Sequence, residues 1–512
     1  MDECALPAQW VRAIRRDAEE KPSMPDPAPE RRVARLLAAF IASGLMFMVA
    51  PGTLLGVWNL VGISSRRQLT GVSAAWIQAH GHAQFFGWVG TFIIGISLYT
   101  LPKFRGAMLR SVSLGWAMWG MWSAAVMLRW LAGVGTAVHA SWFRWSAGLE
   151  LAVGMLLMWQ CSAVGPKYRR GQAWEGPVVA GFAGLIAILA WQFVLTMGTL
   201  RAPMLPAAED RVLISLALWA FAFPVVLGYC AKFFPGLLGA PAANATALRT
   251  AVACLVPAAA AYTFHFTAVA AAVTLCAVAA GCWGLRVFHQ PAGPPKTAGV
   301  DARYPQFARL AYGWVVVAAG LGFFLGLPGM LGASRHAFTV GFLATLIFSI
   351  GPRILPSFLS SRELWSARAM LWALALLTAG CALRVAAEPL AYGEIWQAAW
   401  KLLPSSAFAE LAAVGLFGIN LGMSMTRPVP SWFGRRHVNE RMSVYWLTAS
   451  YPRTRRILVE HGLKTLERVR EAPRSLTLRE AAEADGVPVE RIVGAMGDFF
   501  ESRLARSLRR KL

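Results

Sequence analysis

The stretch Trp76-Ile-Gln-Ala-His80-Gly-His82-Ala-Gln-Phe-Phe-Gly87-Trp88-Val-Gly90 opens an apolar run that reaches Leu101 without an Asp, Glu, Lys or Arg. At ~1.5 Å per residue a helix of that length crosses the ~30 Å hydrocarbon layer of a bilayer. The run therefore reads as a membrane span with two histidines near one of its ends.

Similar runs recur on both sides of it. Spans are expected at 35 to 60, 75 to 101, 111 to 133, 140 to 164, 175 to 199, 211 to 238, 247 to 264, 267 to 288, 308 to 331, 335 to 357, 366 to 387 and 402 to 425. Of the 512 residues 57% are hydrophobic and only 15% charged, where a soluble chain is about a quarter charged. The expected fold is all-α and polytopic, with a disordered tail at 1–33, a twelve-helix membrane domain at 34–425 and a small basic helical domain at 426–512. Pro22, Pro25, Pro27 and Pro29 give the first segment the composition of a tail and not of a cleavable signal.

The formal charge of +23 is explained by orientation rather than by nucleic acid. Loops after the even-numbered spans carry thirteen Lys and Arg, Lys103, Arg105, Lys167 and Arg169 among them, and the other loops carry six. The positive-inside rule then puts both termini in the cytoplasm and every even span running inward. The expected setting is a bacterial inner membrane, with lipid as the first partner.

The seven cysteines form no Cys-x-x-Cys pair, so disulfide, zinc and iron–sulfur frameworks are unsupported and the residues read as small apolar side chains. Three even spans end alike, in Tyr99-Thr-Leu-Pro102-Lys-Phe104, Lys232-Phe-Phe-Pro235 and Arg353-Ile-Leu-Pro356-Ser-Phe358. Ser146-Ala-Gly-Leu-Glu150 in the fourth span is echoed by Ser406-Ala-Phe-Ala-Glu410 in the twelfth. Three pseudo-repeated four-helix units follow, with spans 2, 6 and 10 in matching places.

An ionisable side chain inside a span is costly and is a functional candidate by default. His80, His82 and His336 lie at the outer ends of spans 2 and 10, His265 closes span 7 at the same face, and His139 sits in an outer loop, while His289, His437 and His461 are cytoplasmic. Residues i and i+2 point about 200° apart on a helix, so His80 and His82 serve opposite faces and do not chelate one ion together. A low-spin haem needs two imidazoles from facing helices with glycines that admit the macrocycle. His80 or His82 with His336 supplies the pair, Gly81, Gly87, Gly90 and Gly341 lie nearby, and Arg335 is placed to bind a haem propionate. The plainer reading makes these histidines interfacial hydrogen-bonding groups. Glu150 and Glu410, in mid-span, are read as either a proton path or a structural polar contact, and Lys232 and Arg353 as snorkelling to the headgroups.

The run from His80-x-His82 through Gly87-Trp88-Val-Gly90 to Tyr99-x-x-Pro102 resembles a haem-ligating helix of haem–copper oxidase catalytic subunits. A closer resemblance is to the NnrS family, carried by the same His-x-His, by Lys232 to Pro235, and by His336-Ala-x-Thr339-x-Gly341 with Arg353. It covers about residues 35 to 425. It implies a haem- and copper-containing inner-membrane protein of nitric oxide metabolism or resistance, with haem b, copper, and a quinol or cytochrome c as electron donor. The chain departs from that family in lacking Glu-Met after His-x-His and a histidine after Arg353, and span 6 holds no histidine. His265, with whichever of His80 and His82 faces away from the haem, is the remaining candidate for copper or a second haem.

Residues 426–512 hold 18 Lys and Arg against 10 Asp and Glu, with a capping box at Thr477-Leu-Arg-Glu480 and a break at Gly486-Val-Pro488. With Tyr451-Pro452 and His461-Gly462 this resembles the small helical domain of iron–sulfur repair and hybrid-cluster-associated proteins. Docking to a cytoplasmic protein or to anionic lipid is expected, ahead of DNA binding, because no basic recognition face stands out. The functional expectation is a haem-binding protein, as a nitric oxide-linked oxidoreductase if it is an enzyme. Its rivals are a secondary transporter using Glu150 and Glu410, and a haem-containing sensor or assembly factor.

Overall fold

The computed structural model describes residues 6–19, 27–135, 140–166, 168–198, 203–297, 299–358, 364–426, 438–469, 471–473 and 475–509. They are helical apart from loops and one isolated bridge, Ser443 with Thr477. Among the described residues ten helices are long and apolar enough to cross a membrane: Arg32–Arg66, Ala74–Phe104, Glu175–Gly198, Ala207–Leu237, Ala245–Thr263, Thr267–Leu285, Tyr304–Phe324, Met330–Pro356, Ala367–Tyr392 and Ala399–Met425. They fall at the first, second and fifth to twelfth expected spans. At the third and fourth lie helices Val112–Val134 and Ala140–Cys161, whose arginines and tryptophans lower their mean hydropathy.

Local chemistry sets several helix starts. Ser111 and Ser366 each accept a backbone N–H three residues on, from Leu114 and Ala369, and Asn244 accepts from Thr246 and Ala247. Four helices contain a π-helical stretch: Met48–Leu54, Ala83–Gly90, Ala217–Ala222 and Ala337–Ala344. These belong to spans 1, 2, 6 and 10. Such a stretch releases backbone carbonyls from the i to i−4 ladder, and π-bulges concentrate at functional sites.

Spans 2, 6 and 10 form the inside of the bundle. In their most apolar windows 89, 72 and 61% of residues are buried, against 33 to 50% in the other seven spans. They meet through rings: Trp219 on Phe338 at 4.7 Å, Phe223 on Phe342 at 6.1 Å and Trp88 on Phe348 at 6.1 Å between centroids. Ser97 and Tyr229 add a 2.6 Å hydroxyl contact between spans 2 and 6. Without a hydrophobic drive between helices in lipid, such ring packing and hydroxyl bonding do the work of association.

The chain divides into two compact units, 31–426 and a second made of 1–30 with 427–512. The second unit contains helices Val444–Ser450, Pro452–Glu460, Thr465–Arg468, Leu478–Ala484 and Val489–Arg509, with the Thr477 to Glu480 capping box formed at both bonds. Its core joins Leu447, Leu458, Leu466, Leu478, Ile492 and Met496 to Trp10. The expected disordered tail at 1–33 is corrected here. Ala8–Glu19 is a helix, Trp10 is fully buried, and Ser475 Oγ donates to the Ala13 carbonyl at 3.4 Å. The prolines follow this helix rather than interrupt it, so it keeps an apolar face and finds a core to cover.

Candidate functional site

The start of span 2 places His80 and His82 on different faces. His80 turns toward span 1, where its Nδ1 lies 2.9 Å from the Gly52 carbonyl, inside the π-helical stretch that contains Pro51. Gln84 secures the same stretch by donating to Thr53 Oγ1 at 2.8 Å. A carbonyl only accepts, so Nδ1 carries the proton and Nε2 keeps its lone pair. A Cβ on Gly56 would collide with the His80 ring, so glycine there is what lets the imidazole lie against span 1.

His82 is 7% exposed and points the other way, with Nε2 2.9 Å from Glu150 Oε1 on the fourth helix. The approach is close but off line, and neither atom completes a full hydrogen bond. The second Glu150 oxygen accepts from Gln192 Nε2 at 2.5 Å. His82 is thus committed to a carboxylate rather than to span 10.

His336 repeats the His80 pattern. Its Nδ1 lies 3.0 Å from the Gly332 carbonyl, one turn back on its own helix, and 3.8 Å from Glu388 Oε2 on span 11. Arg384 Nε lies 3.2 Å from the same carboxylate oxygen. A Cβ on Gly332 would run into that carboxylate, so the glycine admits Glu388 to the histidine. His336 and His80 are within electrostatic reach of each other, as are His336 and Arg335.

Each of His80 and His336 therefore has a protonated Nδ1 fixed by a carbonyl and an Nε2 that forms no hydrogen bond among the described residues, on helices that both line the inside of the bundle. That donor set fits a haem, whose porphyrin supplies four ligands and asks the protein for two. It does not extend to a metal held by protein alone. Among the described residues no three His, Cys, Asp or Glu side chains come together as metal ligands. Copper, implied by the family resemblance, has no such set here.

The remaining candidates are separated. His265 is exposed in left-handed backbone (φ 61°) between exposed Phe264 and Phe266, at the turn joining spans 7 and 8, and so does not join His82 or His80. His289 is exposed beside Trp283, and His461 bonds the Ile457 carbonyl in the second unit. His139 and His437 lie outside the described residues. Glu410 packs against Gly380 of span 11, within reach of Arg384 and Glu388, in surroundings different from those of Glu150. Lys232 Nζ stands 5.3 Å from the Phe104 ring, and Arg353 Nε donates to the Lys296 carbonyl at 3.2 Å.

Sequence reasoning passed over Arg129, Gln192, Asp210, Arg384 and Glu388. All are polar residues in helices, four of them ionisable, and Arg129, Gln192, Arg384 and Glu388 are buried. The cost of burying charge was their signal.

No protein-family model and no curated protein matches the chain. Among solved structures, a chain of a heme-copper terminal oxidase dimer, determined by cryo-EM, superposes with a TM-score of 0.59 at 12% identity. The match covers 78% of this chain and 84% of that one. The fold resembles that of a heme-copper terminal oxidase. At this identity the likeness speaks for the architecture of the bundle, and the chemistry has to come from the residues.

Proposed function

We propose that this protein is a haem-binding, multi-pass membrane protein of twelve spans in which iron is held between His80 and His336. One observation carries the reading. Two imidazoles on inner helices each have Nδ1 fixed by a backbone carbonyl and Nε2 with no hydrogen bond among the described residues. A bound haem would supply one-electron redox chemistry. The chain's residues orient the two rings through the Gly52 and Gly332 carbonyls.

Helices Val112–Val134 and Ala140–Cys161 are taken as spans 3 and 4, and the end-motif and Glu150/Glu410 echoes as traces of a threefold repeat. A π-helical stretch in each of spans 2, 6 and 10 supports that repeat. The charge bias of the loops supports cytoplasmic termini, and the family resemblance is what points to a bacterial inner membrane. The resemblance to the NnrS family assigns the activity to nitric oxide metabolism or resistance, with a quinol or cytochrome c as donor if electrons are turned over. The transporter reading loses its motivating pair, because Glu150 and Glu410 occupy separate surroundings.

Absorption spectra of the purified protein in detergent test this. The expected result is a reducible b-type spectrum that is lost in both His80→Ala and His336→Ala and kept in His82→Ala. Protein purified colourless from haem-replete cells overturns the reading, as does a spectrum indifferent to both ligand substitutions.

A further inference from the structure

Glu388 on span 11 holds a place that two glycines of span 10 keep open. Gly329, in left-handed backbone (φ 76°), lies against the Glu388 main chain, where a Cβ would come 2.7 Å from its carbonyl oxygen. One turn on, a Cβ on Gly332 would overlap the carboxylate itself. The start of span 10 is thus fitted around this one residue.

The carboxylate faces two partners at once. Its Oε2 lies 3.8 Å from Nδ1 of His336 and 3.2 Å from Nε of Arg384, one turn back on its own helix. The Glu388 side chain is 5% exposed and that of Arg384 10%, so solvent ions screen neither contact strongly. His80 has no counterpart. Among the described residues no carboxylate lies within 4.0 Å of its ring, and its Nδ1 is held by the Gly52 carbonyl. The two imidazoles are matched in their carbonyl bonds and unmatched in nearby charge.

An acceptor beside Nδ1–H draws on that proton and leaves more electron density at Nε2, which is how an outer partner tunes a metal through its ligand. A negative charge there favours the more positive oxidation state. The Gly332 carbonyl, at 3.0 Å, fixes the ring. Glu388 stands further off and acts through its field, which low-dielectric surroundings transmit well. Arg384, on the same oxygen, sets how much of that field reaches the imidazole.

We propose that Glu388, held by Arg384, is a positioning residue on the His336 side of the haem site, making the two axial imidazoles inequivalent and lowering the reduction potential. This rests on the haem reading above.

Redox titration of the purified full-length protein in detergent, followed in the haem absorption bands, tests it. Glu388→Gln is expected to favour reduction by about tenfold, an upward shift of about 59 mV for one electron. Glu388→Asp keeps the charge and stays closer to wild type. Gly332→Ala displaces the carboxylate without removing a charge and shifts the potential in the same direction as the glutamine variant. Gly313→Ala, whose added methyl group meets nothing within 4 Å, leaves it unchanged. A purely structural role for Glu388 would alter haem content or melting, and not the potential of the haem retained.

A reducible spectrum with an unmoved or lowered potential in Glu388→Gln overturns the proposal and leaves the haem reading standing. Should that variant fail to give monodisperse protein, Gly332→Ala decides by the same criterion. Colourless wild-type protein overturns both.

Discussion

Nε2 of His82 lies 2.9 Å from Oε1 of Glu150, across the boundary between the second and fourth helices, with both side chains buried. Removing the carboxylate strands His82 and the Gln192 amide together. Glu150→Leu is expected to lower the unfolding midpoint measurably, by the equivalent of about 1–3 kcal/mol, with Glu150→Gln closer to wild type because the amide still accepts from Gln192. Differential scanning calorimetry in detergent reads this. Equal stability of the leucine variant and wild type would show that the pair contributes nothing.

Gly56 and Gly120 make a matched test of the His80 setting. A methyl group at Gly56 meets the His80 ring, whereas one at Gly120 meets nothing within 4 Å. Gly56→Ala should therefore reduce haem per protein, with a packing cost of about 1–3 kcal/mol. Gly120→Ala should leave haem content alone and, if anything, stabilise its helix by a fraction of ~1 kcal/mol. A pyridine haemochrome assay on both variants decides it.

Trp10 supplies a fully buried aromatic, beside Ala13, to a core whose other buried residues lie beyond 437. Trp10→Ala should cost that unit about 3–5 kcal/mol. Hydrogen–deuterium exchange on the intact protein is expected to show faster exchange in 444–460 and 478–500 and unchanged protection in the membrane helices. Unchanged exchange in 444–460 would mean that the N-terminal helix is dispensable to this core.

Glu440 gives the second unit a pH dependence. Its carboxylate accepts from Arg479, a bond that holds its pKa below the usual 4.5. A group lowered in the folded state stabilises above its unfolded pKa, and that contribution is lost as pH falls through the lowered folded value. Between neutral pH and about 5 the contribution should be constant, then decline below about 4.5. Exchange rates in 440–445 and 476–480, corrected for intrinsic chemistry, should rise over that acid range in wild type. Arg479→Gln should flatten the response, and a persisting acid response in that variant would assign it to another group.

The bundle was legible because each span carries its own evidence: a run of apolar residues long enough for a membrane needs no knowledge of its neighbours. The opposite facing of His80 and His82 was equally legible, since it follows from about 100° of rotation per residue. What could not be read was the direction each face meets. His80 found the Gly52 carbonyl of span 1, which also accepts the Leu55 N–H at the end of the π-helical stretch, and nothing in the residue pattern announces that geometry. His265 stands at the end of span 7, as expected, and only its direction was illegible. A histidine at a span end can turn into the bundle or out to the surface, and His265 lies exposed between exposed Phe264 and Phe266. The tail at 1–33 was judged by composition alone, which does not see a partner core some four hundred residues away.

The π-helical stretch Ala83–Gly90 also acts as a frame shift within span 2. A single extra residue in a helical turn rotates everything beyond it by about 100° and lengthens the rod by about 1.5 Å. His80 and His82 lie on one side of the shift, and Ser97, which reaches Tyr229, lies on the other. Deleting one residue between them would restore an unbroken α-helix of full apolar length and would still pass for a membrane span. It would set the two ends of that span out of phase, so that either the imidazoles or the Ser97 hydroxyl would face the wrong neighbour. The insertion thus encodes the relative azimuth of the two halves, a quantity that neither hydropathy nor residue identity records.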